Sequence, residues 1–321
     1  MPPPRFTHRR SNRSQVGGSN GEMQRFRAGK QLAVLVCLAA LFLSACLVRR
    51  RVVAPPGKAK ENRPLRFATQ HDLIQLIHNA WDPIQSFTMK ADMSPSVGQL
   101  YGGQVTDYAT ITGFVIFRRP DNIRVIGQDP VIHSTLFDMV STGNNFRVSL
   151  PTKNQFVIGA NDAPATSKNK LENLRPAAFL TSLMIMPPGE GDLTLVEDDT
   201  NETKAVYIVQ VIHRDGDQLQ LMRNIYFDRY TLAINRQKTF DANGYIKSDT
   251  KYAEWRVLNG TLFPTMIDIQ RPQDGYELIL TVLDMKINTP DVTPEKFVLN
   301  QPPGATVKML GACCSGCPCA Q

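Results

Sequence analysis

The sequence predicts a mainly β (α+β) domain in which an up-and-down antiparallel sheet curls around apolar helices. Six strand-like runs in the second half are separated by five turn dipeptides, and four of these are Asn-Gly or Asp-Gly, the pairs that tolerate the positive φ of a hairpin. Several runs carry apolar residues on both faces, so both faces need shielding from water. Residues 176–186 are apolar on nearly every side, which predicts a helix inside the curled sheet.

The N-terminal 45 residues have the composition of an export signal. They carry seven basic side chains and one acidic one, and so hold six of the seven net positive charges of the chain. A basic leader ahead of an uncharged apolar run, here Leu32 to Val48, directs export. Because the rest of the chain is nearly neutral, its charge does not indicate a nucleic-acid partner.

The apolar run ends in Leu43-Ser44-Ala45-Cys46, which resembles the bacterial lipobox. We expect residues 1–45 to be a signal peptide and Cys46 to be the acylated first residue of the mature chain, since two acyl chains on one residue give stable anchoring. The alternative is an uncleaved membrane anchor. The run approaches the roughly 20 residues of a spanning helix, and Arg49-Arg50-Arg51 follows the cleavage site, where positive charge resists translocation.

Residues 46–66 are rich in proline and charge, which predicts a solvated, lipidated tether. The folded domain is expected at residues 67–308. Its first helix begins after Thr69 as N-cap, with Asp72 three residues on and an apolar stripe behind it.

Twelve strand-like runs follow the first helix. They are Phe87–Met93, Tyr108–Arg119, Asn122–Gln128, Ser134–Thr142, Asn145–Leu150, Gln155–Gly159, Lys204–His213, Gln218–Phe227, Thr231–Phe240, Tyr245–Val257, Thr261–Arg271 and Tyr276–Ile287. Between the sixth and seventh runs, the second helix is expected from Pro176, a residue favoured in a first turn, to Met186, just before Pro187-Pro188.

Several pieces of sequence, taken in order, resemble the LolA/LolB-type lipoprotein carriers and the related mycobacterial lipid-binding lipoproteins. The resemblance runs from about Leu73 to Val307. The pieces that carry it are Ser86-Phe87, Phe117-Arg118-Arg119-Pro120, Ile123-Arg124-Val125, Ser141-Thr142-Gly143-Asn144, Gly260-Thr261-Leu262-Phe263-Pro264, Phe297-Val298-Leu299 and Pro302-Pro303-Gly304-Ala305-Thr306-Val307.

This resemblance implies an incomplete antiparallel β-barrel of about eleven strands, with helices covering its open side and an apolar cavity for acyl chains between them. The second helix would supply Phe179, Leu183 and Met184 to that cavity. The family arginine would be Arg119, holding the helical lid by hydrogen bonds, with a solvated arginine at the sheet edge as the alternative.

The sequence offers few signs of catalysis. Residues 46–321 contain no G-x-S-x-G, H-E-x-x-H, P-loop or G-x-G-x-x-G motif, so we expect neither an enzyme nor a cofactor. The tail at residues 309–321 carries Cys313, Cys314, Cys317 and Cys319. Outside the cytoplasm these predict disulfides, in one of three pairings, with a soft-metal site as the alternative.

Taken together, these patterns predict a monomeric lipoprotein, anchored to a membrane by its N-terminal lipid, that binds or transfers lipid or lipoprotein acyl chains in the bacterial envelope. Because Leu47 follows Cys46, we expect the outer membrane, facing the periplasm, in a Gram-negative source. The alternatives are a structural scaffold lipoprotein whose barrel is packed solid, and a metal or redox protein that depends on the cysteine tail.

Overall fold

The computed structural model describes residues 64–98, 103–161 and 176–310. The predicted signal peptide, Cys46, most of the tether and the four tail cysteines lie outside the described residues.

The described residues form two α-helices, α1 (Gln70–Trp81) and α2 (Pro176–Leu183), and short 3-10 turns at Pro151–Lys153 and Pro294–Phe297. Fifteen strands complete the fold: β1 Ser86–Gly98, β2 Val105–Asp107, β3 Ile111–Arg118, β4 Asn122–Gln128, β5 Thr135–Thr142, β6 Asn145–Leu150, β7 Gln155–Ala160, β8 Leu193–Thr200, β9 Ala205–Asp215, β10 Gln218–Asp228, β11 Ile234–Phe240, β12 Ile246–Leu258, β13 Thr261–Arg271, β14 Tyr276–Ile287 and β15 Thr306–Leu310.

All the strands belong to one sheet, in the order β15-β7-β6-β5-β4-β3-β1-β14-β13-β12-β11-β10-β9-β8, with β2 paired to β1 beside this path. From β8 to β14 each strand pairs with its neighbours in sequence, so the predicted up-and-down meander is confirmed. β1 joins the two halves of the sheet because it pairs with β3 on one side and with β14 on the other. Every pair is antiparallel except β15 with β7, which is parallel.

The glycine has positive φ in all four Asn-Gly and Asp-Gly turn dipeptides, and in one of them the preceding residue does too. At the turn between β12 and β13, Asn259 has φ of 47° and Gly260 has φ of 81°. Two successive positive φ values give a turn whose twist matches that of the flanking strands. Asparagine and glycine are the residues that adopt this conformation at least cost.

Two features of the fold differ from the prediction, and one agrees with it. The described residues contain fifteen strands, whereas the sequence predicted twelve strand-like runs and the resemblance implied about eleven; β2, β8 and β15 are the strands that the twelve runs missed. The sheet is open within the described residues, with β8 and β15 as its edge strands, as expected for an incomplete barrel. Helix α2 ends at Leu183 and not at Met186.

Helix α1 begins at the predicted N-cap. The Thr69 hydroxyl accepts from the backbone N–H of Asp72 at 3.2 Å, and the Thr69 backbone N–H donates to the Asp72 carboxylate at 2.8 Å. This reciprocal pair is a capping box. The helix buries Leu73 and Ile77 completely, so its predicted apolar stripe faces the core.

The sheet curls around α2. This helix contacts β4 and β5 on one side and β12 on the other, and β5 lies six strand steps from β12 in the sheet order. Six steps of about 4.8 Å would separate these strands by about 29 Å in a flat sheet. An eight-residue helix is about 12 Å long and about 10 Å wide. Contact with both sides therefore requires the sheet to bend round the helix.

Each face of the sheet has its own apolar cluster. We call the face that packs on α1 and α2 the inner face. Its core extends through both halves of the sheet, with Phe87, Phe117, Val209 and Ile267 among its buried side chains. We call the opposite face the outer face. There a smaller cluster covers β5 and β7, and it consists of Val140, Phe156, Val292, Phe297, Leu299 and Ala305.

Candidate ligand site

The three apolar residues predicted to contact a ligand all lie on the inner face. Phe179, Leu183 and Met184 are exposed by 6%, 1% and 3%, and they belong to one continuous core with side chains from both halves of the sheet. The fold therefore brings them together in the expected place. In this conformation their own side chains fill the space between the two halves. A ligand on this face would have to move them.

The C-terminal end of α2 is fixed to β11 and β12 by buried polar groups. Gln237 Nε2 donates to the carbonyl oxygen of Thr181 at 2.9 Å, and the Tyr252 hydroxyl donates to that of Ser182 at 2.8 Å. Burial raises the pKa of Tyr252, so this hydroxyl stays protonated and remains a donor. Carbonyls in the last turn of a helix have no partner within the helix, and these side chains supply one.

Arg223, from β10, holds the chain immediately after α2. Its Nη1 donates to the carbonyl oxygen of Met186 at 2.7 Å, and its Nη2 to that of Pro187 at 2.8 Å. Burial lowers the pKa of this guanidinium, while the nearby Asp192 carboxylate acts in the opposite direction. One planar side chain thus satisfies two successive carbonyl groups.

Arg119 likewise holds the C-terminal end of α1 and the chain that follows it. Its Nη2 donates to the carbonyl oxygen of Trp81 at 2.7 Å and its Nε to that of Ile84 at 2.7 Å. The guanidinium carbon lies 4.2 Å from the centre of the Trp81 ring, a cation–π distance. Arg119 therefore fastens the end of the helix that the resemblance described as a lid. A direct role of Arg119 in ligand binding stays a prediction.

A second candidate site, which the sequence analysis missed, is a cavity of about 570 Å³ beside the outer face, near the β3–β4 turn. Its walls combine basic, amide and apolar side chains. They are Arg118, Arg119, Asn122, Val140, Thr142, Asn145, Phe146, Arg147, Ile158, Pro294, Phe297 and Val298. We call this space the outer cavity.

Strand register explains how residues distant in sequence meet in the outer cavity. Arg118 lies opposite Asn122 in the β3–β4 pair, and Thr142 lies opposite Asn145 in the β5–β6 pair. One pleat further along, Arg147 lies between Val140 and Ile158. The sequence could have shown that these residues share one face of the sheet, because they alternate with inner-face residues along their strands. Placing them together, however, requires the pairing of β5 with β6 and of β6 with β7.

Ion pairs and backbone bonds define the charge around the outer cavity. The neighbouring Arg124 is paired with Asp138, at 3.0 and 2.7 Å, and donates to the carbonyl oxygen of Lys296 at 2.8 Å. Arg147 donates to that of Leu299 at 3.2 Å, so both arginines hold the chain that crosses the outer face. The pKa of Glu295 is lowered chiefly by its hydrogen bond from Thr293, with a smaller contribution from the charge of Arg118.

Two alternatives from the sequence, the soft-metal site and the uncleaved membrane anchor, concern residues outside the ranges 64–98, 103–161 and 176–310. Within these ranges there is no cluster of three or more His, Cys, Asp or Glu side chains arranged to hold a metal ion. The cysteine tail of the metal hypothesis lies beyond them. None of the helices in these ranges has the length and apolar character needed to cross a membrane.

No family model matches the chain, and neither does any curated protein sequence. Solved structures are similar to it at low identity. A LolA superfamily protein from Nitrosomonas europaea is 12% identical with a TM-score of 0.47, over 73% of this chain and 99% of that one. A DUF1329 family protein from Desulfovibrio piger is 13% identical with a TM-score of 0.47, over 71% and 97%. A domain described as an outer membrane lipoprotein-sorting protein, from Vibrio parahaemolyticus, is 13% identical with a TM-score of 0.45, over 70% and 94%.

The LolA-type resemblance predicted from the sequence is thus found among solved structures as well.

Proposed function

We propose that this chain is a membrane-anchored envelope lipoprotein that binds acyl chains of lipids or lipoproteins on the inner face of its curled sheet. The observation that carries the proposal is helix α2. It has no charged residue in its first or last turn, and Phe179, Leu180 and Leu183 are buried between the two halves of the sheet. An apolar helix wrapped by an open sheet occupies the kind of space that an acyl chain would fill.

The energetics of such binding come from removing apolar surface from water. Each buried methylene contributes about 0.8 kcal/mol, so a chain of twelve carbons can offset a substantial rearrangement of α2. Met184 lies at the end of this helix and Met186 packs against the same core. Methionine side chains are flexible and polarizable, which lets them fit ligands of different shape. No covalent step is needed, so we propose a binding protein and not an enzyme.

Membrane attachment is the second part of the proposal. The lipobox-like Leu43-Ser44-Ala45-Cys46 supports acylation of Cys46, and Leu47 supports sorting to the outer membrane in a Gram-negative cell. Mass spectrometry of the N-terminal peptide from membrane-purified protein tests this part directly. We expect a peptide that begins at acylated Cys46. A peptide that still carries residues before Cys46 would contradict the proposal and favour the uncleaved anchor.

One observation favours a second candidate function, a scaffold lipoprotein that binds only other proteins. The inner face is filled by buried side chains in this conformation, as expected if the barrel is a solid support. The two functions differ in one measurable respect. A carrier binds lipid stoichiometrically, and a scaffold does not.

Extraction and mass analysis of lipid bound to the full-length protein separates the two functions. We expect about one acyl-bearing lipid per chain in excess of bulk membrane lipid, and loss of that lipid in Met184→Trp, which overfills the inner face. The matched control is Val257→Trp, which adds the same ring on a side chain that is 68% exposed. It should retain the lipid.

A second substitution at Met184 tests whether any change at this position misfolds the protein and so causes loss of the lipid. Met184→Ala enlarges the space at the same position, so we expect it to keep the bound lipid. Equal lipid content in the wild type, Met184→Trp and Val257→Trp would contradict the carrier and support the scaffold.

A further inference from the structure

We propose that the outer cavity binds the phosphate group of an anionic amphiphile, with the apolar part of that molecule lying against Val140, Ile158 and Phe297. Arg118, Asn122, Val140, Thr142 and Ile158 alternate with inner-face residues along their strands, so most of the cavity lies on the outer side of the sheet. The cavity volume of about 570 Å³ lies within the range of small-molecule sites, and such sites combine an apolar lining with a few placed polar groups.

The basic wall of the cavity selects an anion. Arg118, Arg119 and Arg147 all line it. Arg119 and Arg147 already donate to backbone carbonyls, so they contribute mainly positive charge. Arg118 is half-buried, and within the described residues its guanidinium donates no hydrogen bond to another protein group. Its guanidinium is the group best placed to bind an incoming anion through two parallel N–H donors.

Phosphate fits this wall better than a carboxylate does. A phosphate monoester carries about −1.5 to −2 charges at pH 7 and offers three acceptor oxygens. The cavity provides a matching set of donors, since Asn122 and Thr142 line it together with Arg118. The nearby acidic group is Glu295, whose carboxylate is fully exposed and partly offsets the charge of Arg118. The residues that line the cavity include three arginines and no carboxylate, which leaves the site positive.

The apolar side of the cavity indicates that the ligand is more than a free anion. Phe297 is buried, and it packs with Val140 and Ile158 in the outer-face cluster. Val298, next along the chain, is half-exposed at the rim of the cavity. Free phosphate would leave this surface in contact with water. An amphiphile would cover it, which is why we infer an apolar part in the ligand.

Titration calorimetry on the full-length chain in phosphatidylcholine nanodiscs tests this proposal, with empty nanodiscs as the blank. The probes are dihexanoyl phosphatidate, inorganic phosphate and dihexanoyl phosphatidylcholine. We expect phosphatidate to bind at least tenfold more tightly than either of the others, and its affinity to fall at least tenfold in Arg118→Ala. Arg118→Lys should restore part of the affinity. Arg214→Ala, which removes an exposed arginine beside the β9–β10 turn, should leave it unchanged.

Each other outcome contradicts the proposal. Equal affinity for inorganic phosphate and phosphatidate would mean that the apolar wall plays no part. Unchanged affinity in Arg118→Ala would place binding elsewhere. If Met184→Trp abolishes phosphatidate binding and Arg118→Ala does not, the ligand lies on the inner face, which would overturn this inference and leave the proposed function standing.

Discussion

The two helices are held in place in the same way but have different roles in the fold. In each case one arginine donates to two backbone carbonyls at or beyond the C-terminal end, Arg119 in the β3–β4 turn for α1 and Arg223 on β10 for α2. Helix α1 is amphipathic, carries a capping box and buries one stripe. Helix α2 is apolar and buried between the halves of the sheet. One type of clamp thus holds both a cover, α1, and a core-filling element, α2, which a ligand would have to move.

The largest expected effects come from truncating the buried side chains of the two helices. Phe179→Ala in α2 and Leu73→Ala in α1 should each lower the free energy of unfolding by about 3–5 kcal/mol, since each leaves a cavity in the core. Urea unfolding of the full-length chain measures both. Saturating dodecanoate should recover part of the loss in Phe179→Ala, because the ligand can fill that cavity, and little in Leu73→Ala.

The two truncations serve as controls for each other. Equal recovery by dodecanoate in both variants would mean that the ligand stabilises the fold without distinguishing the helices. No recovery in Phe179→Ala would mean that α2 is a fixed part of the core. Either result would contradict the proposed difference between α1 as a cover and α2 as a core-filling element.

Removing the clamps should have intermediate effects. Arg119→Met and Arg223→Met keep most of the side-chain volume but leave two carbonyls without their donor, at a cost of about 2 kcal/mol each. Amide hydrogen exchange should localise the change. Arg119→Met should accelerate exchange at Asp82 and Ile84, whose amides bond within the end of α1, and Arg223→Met at Met184. Acceleration at all three amides in both variants would contradict independent clamps.

The smallest effect concerns pH at the start of α1. Hydrogen bonds from the Thr69 backbone and hydroxyl hold the pKa of Asp72 below its ordinary value of 3.8. Because the folded pKa is the lower one, this stabilisation is complete above the unfolded pKa and is lost as pH falls through the folded pKa. The difference in unfolding midpoint between wild type and Asp72→Asn should therefore shrink as pH falls from 5 to 2. A constant difference would contradict the capping role of the carboxylate.

No equivalent titration is expected at α2, because its first turn has no acidic residue. The helicity of the two segments can be followed separately by the NMR shifts of Leu73 and Leu180. We expect the shift of Leu73 to follow the titration of Asp72, while that of Leu180 stays constant. Parallel movement of both would mean that low pH loosens the whole domain.

Local signals predicted most of the fold. Thr69 and Asp72 predicted where α1 begins, and Pro176 predicted the start of α2, because capping and proline geometry act within a few residues. The hairpin dipeptides predicted the meander for the same reason. The strands that were missed lack such signals. All three residues of β2 are exposed, and β8 exposes both Leu193 and Leu195 at the sheet edge.

Non-local pairing explains what the sequence could not predict. β15 runs parallel to β7, about 150 residues earlier in the chain, and no local pattern reports such a pair. The outer cavity depends on the same kind of information, since Arg118 and Arg147 meet only through the register of four strands. The inner face was easier to predict, because residues 176–186 are apolar on nearly every side.

The most direct test of binding on the inner face is NMR of the full-length chain with 13C-labelled methionine methyl groups and added dodecanoate. We predict contacts between the ligand and the methyl groups of Met184 and Met186, together with shifts of both signals at saturation. The methyl group of Met266, which is exposed on β13, should not change. If the Met184 and Met186 signals stay unchanged at saturating dodecanoate, the inner face does not hold acyl chains.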